Sequence, residues 1–234
     1  MTRTIVMTGG TGGLGTALAK RLVTQDVRLA VTYLLPNEAT DFEETIELDD
    51  DRLLLKRVDA ANASAVNEFM SEVADQWGPV HGLAALVGGW AGGRDVDETD
   101  DLRLERMLDL NLRSAFYTVR AAIPHLQKAE FGRIVLVGSR AAIENPPGQA
   151  AFNMSKAAVM ALGRSVAAEL EATNVTASVL VPSVIDTPAT RATLPYADYV
   201  NWPTPDEIAG VADFLLTRES GVMNGALVPV FGKA

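Results

Sequence analysis

Seven apolar runs of strand length recur along the chain, at residues 4–8, 28–33, 53–58, 82–87, 133–137, 176–181 and 226–230, and stretches of helix length separate them. Several runs are apolar at nearly every position rather than at every second one. That pattern belongs to strands covered on both faces, as in a parallel sheet held between two layers of helices. Helices are predicted over 13–24, 63–76, 101–129, 150–173 and 205–217. The last carries its own start signal: Thr204 to accept from free amides, Pro205 at the first helical position and Glu207 at the third. Asn224-Gly225 suits a tight turn before the final run. Such β-α alternation points to a doubly wound α/β fold with a seven-stranded, mostly parallel sheet. The 234 residues fit one domain over 1–234, with a large core. The longest irregular stretch, 182–204, carries Pro182, Pro188, Pro195 and Pro203. A loop of that length in a compact domain is usually functional, and it is read as a lid over a substrate site.

The composition narrows the function classes. The formal net charge is −10, with acid concentrated at 41–51 and 95–101. This balance argues against nucleic acid and anionic membranes as partners. The chain has no cysteine, which excludes disulfides, thiolate chemistry and Cys-type zinc sites. His81 and His125 have no metal-ligand spacing, and Asp95, Asp97, Asp100 and Asp101 lack the glycine and terminal glutamate of a calcium loop, so no metal is expected. The first residues run straight into a strand, without a signal core or a spanning run of about 20 apolar residues. A cytoplasmic protein is expected.

The first strand leads into T-G-G-T-G-G-L-G, Thr8–Gly15, and then a helix. Glycines at 9, 13 and 15 permit a sharp turn and let the backbone approach a pyrophosphate, while the helix points its free amides and partial positive charge at the anion. Between a strand and a helix, near the start of an alternating chain, such a loop is a strong nucleotide signal.

Six ordered stretches resemble the short-chain dehydrogenase/reductase family, whose members have a Rossmann-type fold. They are Thr8–Gly15, Val58-Asp59, Asn111 in L-N-L, G-R-I-V-L-V-G-S ending at Ser139, S-K-A-A with Lys156, and Val181-Pro182 followed by Asp186-Thr187-Pro188. The resemblance implies hydride transfer between NAD(H) or NADP(H) and a small-molecule substrate. Catalytic roles fall on Ser139, Lys156 and Asn111. The cofactor would lie along Gly9, Thr11, Gly13, Leu14 and Gly15. Its adenosine would meet Tyr33, Asp59 and Ala60, and its nicotinamide half Gly88, Lys156, Pro182, Val184 and Thr187. Substrate contacts are expected from Ser139, from Trp90 beyond the fourth strand and from Tyr196 in the lid. Family members commonly form homodimers or homotetramers through helices corresponding to 101–129 and 150–173. Two stretches, V-G-G-W-A-G-G at 87–93 and the segment 184–202, are similar to quinonoid dihydropteridine reductases, which reduce a quinonoid pterin.

The sequence also departs from the family pattern. Phe152 stands where the family carries its proton-donating tyrosine, four residues before the lysine. Three readings stay open: hydride transfer to an acceptor that draws its proton from water, a donor from the lid such as Tyr196 or Tyr199, or a catalytically silent nucleotide-binding subunit with a regulatory or assembly role. The second strand ends V-T-Y-L. Relatives that use NAD place an acid near Tyr33, and relatives that use NADP often place an arginine at the position of Leu34. With neither charge present, and nothing evident to neutralise a 2′-phosphate, the balance favours NAD(H). Ala85-Leu86 replaces an asparagine pair of the family and is read as structural.

Overall fold

A computed structural model describes residues 2–49 and 51–233. Seven strands, β1 (Arg3–Thr8), β2 (Val27–Tyr33), β3 (Leu53–Arg57), β4 (Gly82–Ala85), β5 (Gly132–Val137), β6 (Val175–Pro182) and β7 (Leu227–Val230), form one sheet in the order β3-β2-β1-β4-β5-β6-β7. All six pairings are parallel, so the sheet is wholly rather than mostly parallel. The order reverses between β1 and β4. In open α/β sheets, that reversal opens a crevice at the carboxyl ends of the strands.

The helices are α1 (Gly13–Leu22), α2 (Pro36–Thr45), α3 (Ala63–Trp77), α4 (Asp101–Met107), α5 (Ser114–Leu126), α6 (Ala141–Glu144), α7 (Ala150–Glu169), α8 (Pro188–Thr193) and α9 (Pro205–Leu215). Alternate residues of each central strand feed opposite layers, as the pleat requires. Val6, Leu83, Ile134 and Leu136 pack with α3, α5 and α7 through Phe69, Met70, Val119, Leu126 and Val159. Ile5, Met7, Ala84 and Val135 pack on the other side with α1, α2 and α9 through Leu18, Leu22, Phe42, Ile208 and Leu215. Thr204 and Glu207 close a reciprocal capping box at the start of α9, and Gly225 adopts the left-handed φ of +74° that its turn needs.

Two expectations are corrected. The helix predicted over 101–129 is interrupted by one π-helical stretch, Leu108–Arg113, and ends at Leu126 shortly after Pro124. The stretch 182–204 is not structureless, because α8 forms inside it with Pro188 in its first turn and Thr187 as its cap. Helices α2 and α6 have no counterpart in the sequence reading. Among the described residues no helix is long and apolar enough to cross a membrane.

Candidate active site

The glycine loop is shaped by contacts that exclude a side chain. Gly9 has φ +66°, and a Cβ there would lie 2.8 Å from Val87 Cγ2 at the end of β4. A Cβ on Gly15 would lie 2.3 Å from the Gly10 carbonyl oxygen, so only glycine lets α1 start this close to the turn. Gly9 N–H donates to Thr32 Oγ1 at 3.1 Å and Gly10 N–H to the Thr32 carbonyl at 3.2 Å, which ties the loop to β2. Gly12 occupies the N-cap of α1 and offers no side-chain acceptor to the first amides. Leu14 turns its side chain into the core, so only its backbone faces the turn. These features fit a nucleotide pyrophosphate: uncapped amides, helix-end positive charge and a backbone open to close approach.

The other predicted residues gather along the same rim. Thr187, the N-cap of α8, lies against the loop; a Cβ on Gly13 would lie 3.0 Å from its Cγ2. Tyr33 ends β2, half-buried, and Asp59 lies exposed just past β3, where its Oδ1 accepts from Ala61 N–H at 2.9 Å. Ala60 is buried beside it. Pro182 ends β6 and its carbonyl accepts from Arg140 N–H at 2.8 Å, while Val184 follows half-buried.

Asn111 sits in the π-helical stretch with its side chain fully committed. Its Oδ1 accepts from Gly89 N–H at 2.9 Å, and its Nδ2 donates to the Gly89 carbonyl and to Ser155 Oγ, both at 3.0 Å. It thereby clamps the loop after β4 to α7. Lys156 lies one position beyond Ser155. Its ammonium donates to the Val137 carbonyl at 2.9 Å and is only 6% exposed. A Cβ on Gly88 would lie 2.9 Å from Lys156 Nζ and 3.0 Å from Asn111 Oδ1, so the glycine keeps that space open. Burial lowers the Lys156 pKa to about 8. Ser139 is buried just after β5, and its Oγ accepts from Ala141 N–H at 3.2 Å. Phe152 is buried in a small apolar cluster with Met107 and Ala151, lined by Ala91, Leu104, Leu110 and Ala141.

The family model described as short chain dehydrogenase matches residues 3–196. The chain belongs to the short-chain dehydrogenase/reductase family. It is 31% identical over 240 residues to the 3-oxoacyl-[acyl-carrier-protein] reductase MabA of Mycobacterium bovis, covering 99% of this chain and 92% of that protein. It is 31% identical over 200 residues to D-beta-hydroxybutyrate dehydrogenase of Rhizobium meliloti, covering 83% and 76%. Its fold superposes on a short-chain dehydrogenase/reductase from Serratia marcescens with a TM-score of 0.89 and 26% identity, covering 99% and 97%. The family is one of NAD(P)(H)-dependent oxidoreductases, and the wholly parallel sheet of this chain is the family's Rossmann-like fold.

Within this short-chain dehydrogenase/reductase, Trp90 is oriented by residues the sequence reading passed over. Its indole Nε1–H donates to Gln149 Oε1 at 2.8 Å, and Gln149 Nε2 donates to Asn153 Oδ1 at 3.2 Å. Asn153 Nδ2 in turn donates to the Pro146 carbonyl at 3.0 Å. Trp90 remains 43% exposed at the crevice mouth. Tyr196 is not brought in: it is fully exposed, in the segment after α8. Tyr199 lies under Arg191, whose guanidinium sits 4.0 Å from the ring centre and forms a two-pronged ion pair with Asp186. The sequence signal for Ser155 lay next to Lys156 in S-K-A-A. Gln149 and Asn153 carried none: the bond that ties them to the site runs from Gln149 to Trp90, 59 residues away in the chain.

Proposed function

We propose that this chain is a reductase or dehydrogenase that moves a hydride between NAD(H) and a small oxo or hydroxy compound. The observation that carries this reading is the placement of a buried, unneutralised Lys156 ammonium beside Gly88 and Asn111, on the rim that carries the uncapped α1 amides. The glycine loop would hold the pyrophosphate and Lys156 the nicotinamide ribose. When bound, the nicotinamide supplies the hydride. Ser139 Oγ accepts from Ala141 N–H, which leaves its own hydrogen to donate to the acceptor's polar atom. Phe152 contributes an apolar wall and no proton. Trp90, pinned through Gln149, offers a flat face to the acceptor. An oxo acceptor is favoured over a quinonoid pterin because the relatives named above are a 3-oxoacyl reductase and a hydroxybutyrate dehydrogenase. The pterin reading keeps the support of segments 87–93 and 184–202.

The whole chain, 1–234, would serve this one site, with 182–204 as its substrate lid. A net charge of −10 suits a freely dissolved cytoplasmic protein. Leu102 and Phe116, exposed on α4 and α5, suit the helix pairing of a homodimer or homotetramer. The test is loss of nicotinamide absorbance when purified protein meets NADH with acetoacetate, a 3-oxoacyl thioester or a quinonoid pterin. Turnover of an oxo compound that Lys156→Ala abolishes supports the reading. Phe152→Tyr is expected to raise the oxo-compound rate by about 10²–10⁴-fold, the usual worth of a general acid. The absence of a proton donor at Phe152, which packs with Met107 and Ala151, favours a second reading, a silent nucleotide-binding subunit with a regulatory or assembly role. Tight nucleotide binding without turnover of any acceptor would select it.

A further inference from the structure

We infer that Glu38 selects NAD(H) over NADP(H): its carboxylate, held against the glycine loop, takes the adenosine ribose hydroxyls and repels a 2′-phosphate. The inference rests on the pyridine-nucleotide reading above. Tyr33 and Leu34, where the family pattern places its selecting charge, are uncharged, and the structure brings two charged side chains to that corner from elsewhere. Glu38 lies in the first turn of α2, two residues after Pro36, where free helix amides favour a negative charge. It is half-buried, and its Oε2 accepts from Thr11 Oγ1 at 3.4 Å. Thr11 belongs to the loop itself and is fixed there by Thr16 Oγ1, which donates to the Thr11 carbonyl at 3.2 Å. The carboxylate therefore faces the turn that takes the pyrophosphate, at the end of β2. An acid in that place, about 20 residues after the last glycine of the loop, hydrogen-bonds the ribose in dinucleotide folds. Here it arrives from a helix rather than from the strand end.

Arg57 is the competing charge. It ends β3, one strand farther from the glycine loop, and its Nε donates to the Leu34 carbonyl at 3.0 Å. It is exposed, so water screens it more than the half-buried carboxylate. The nearer and less screened group decides between the two cofactors.

Calorimetry on the full chain with NAD+, NADP+, 5′-AMP and 2′,5′-ADP tests this without reference to turnover. The wild type is expected to bind NAD+ at least about tenfold more tightly than NADP+, and 5′-AMP more tightly than 2′,5′-ADP. Glu38→Gln should reduce both ratios about tenfold, mainly by tightening the 2′-phosphorylated ligands. Glu38→Asp keeps the charge and should retain most of the preference. Unchanged ratios in a Glu38→Gln variant with native circular dichroism would overturn the inference. So would a wild-type preference for NADP+ that Arg57→Ala removes. No heat with any of the four ligands at millimolar excess would overturn the pyridine-nucleotide reading and this inference with it.

Discussion

Lys156 is an ammonium group kept out of water, and among the described residues no carboxylate offsets the cost. Its pKa falls from 10.5 to about 8 because burial disfavours the charged form. Below about pH 8 folded and unfolded chains both hold the proton, and the folded state bears the full penalty. Between about 8 and 10.5 the unfolded chain binds more protons, so stability climbs with pH, and above that window the penalty is gone. Lys156→Met should therefore stabilise the protein at pH 7, by no more than about 3 kcal/mol. The gain over wild type should shrink as pH rises through the window, read by urea unfolding at a series of pH values. A site that tolerates such a cost is one where the charge is used. The residue scale was partly legible in the sequence: Lys156, Ser139 and Asn111 stand inside short motifs. Glu38 and Gln149 do not, since each acquires its role from a partner that only folding brings near, Thr11 and Trp90, and Asn153 joins only through Gln149.

At the scale of elements, the π-helical stretch Leu108–Arg113 lets Asn111 grip Gly89 by both of its backbone groups. Widened turns of this kind frequently mark functional sites. Asn111→Leu leaves the part-buried N–H and carbonyl of Gly89 without a partner, and Ser155 Oγ with the Phe152 carbonyl alone. The expected cost is about 3 kcal/mol in chemical unfolding, at one to three for each group left unpaired with partial relief by water. Nucleotide affinity should fall as well, because Gly88 precedes the clamped residue. The sequence placed all seven strands within about two residues of where they lie; burial of the five inner strands writes nearly unbroken apolar runs, and the half-buried edge strands β3 and β7 still carry short ones. It missed α2, whose exposed face leaves chiefly Ala39 and Phe42 buried, the four-residue α6, and α8, a short helix set among prolines. It also joined α4 to α5, since a π turn scarcely disturbs the apolar spacing.

Across the whole molecule, the rim opposite the crevice has its own anchor. Arg133, 5% exposed at the start of β5, donates to the carbonyls of Gly132 at 2.7 Å, Arg218 at 2.8 Å and Thr217 at 2.9 Å. It binds β5 to the chain just past α9. Arg133→Met should lower stability by about 3 kcal/mol, as loss of a buried charged donor does, and leave the nucleotide dissociation constant unchanged. Thermal unfolding and calorimetry on one preparation measure both.

Because every strand points the same way, each turn from strand to helix emerges on one side and each return on the other. Inheritance can therefore rewrite reactivity on the first side, including the exchange of a phenol for a bare ring, without disturbing the foundations on the second. A lineage carrying such an exchange keeps a sound scaffold, and one nucleotide substitution in a codon separates the two side chains.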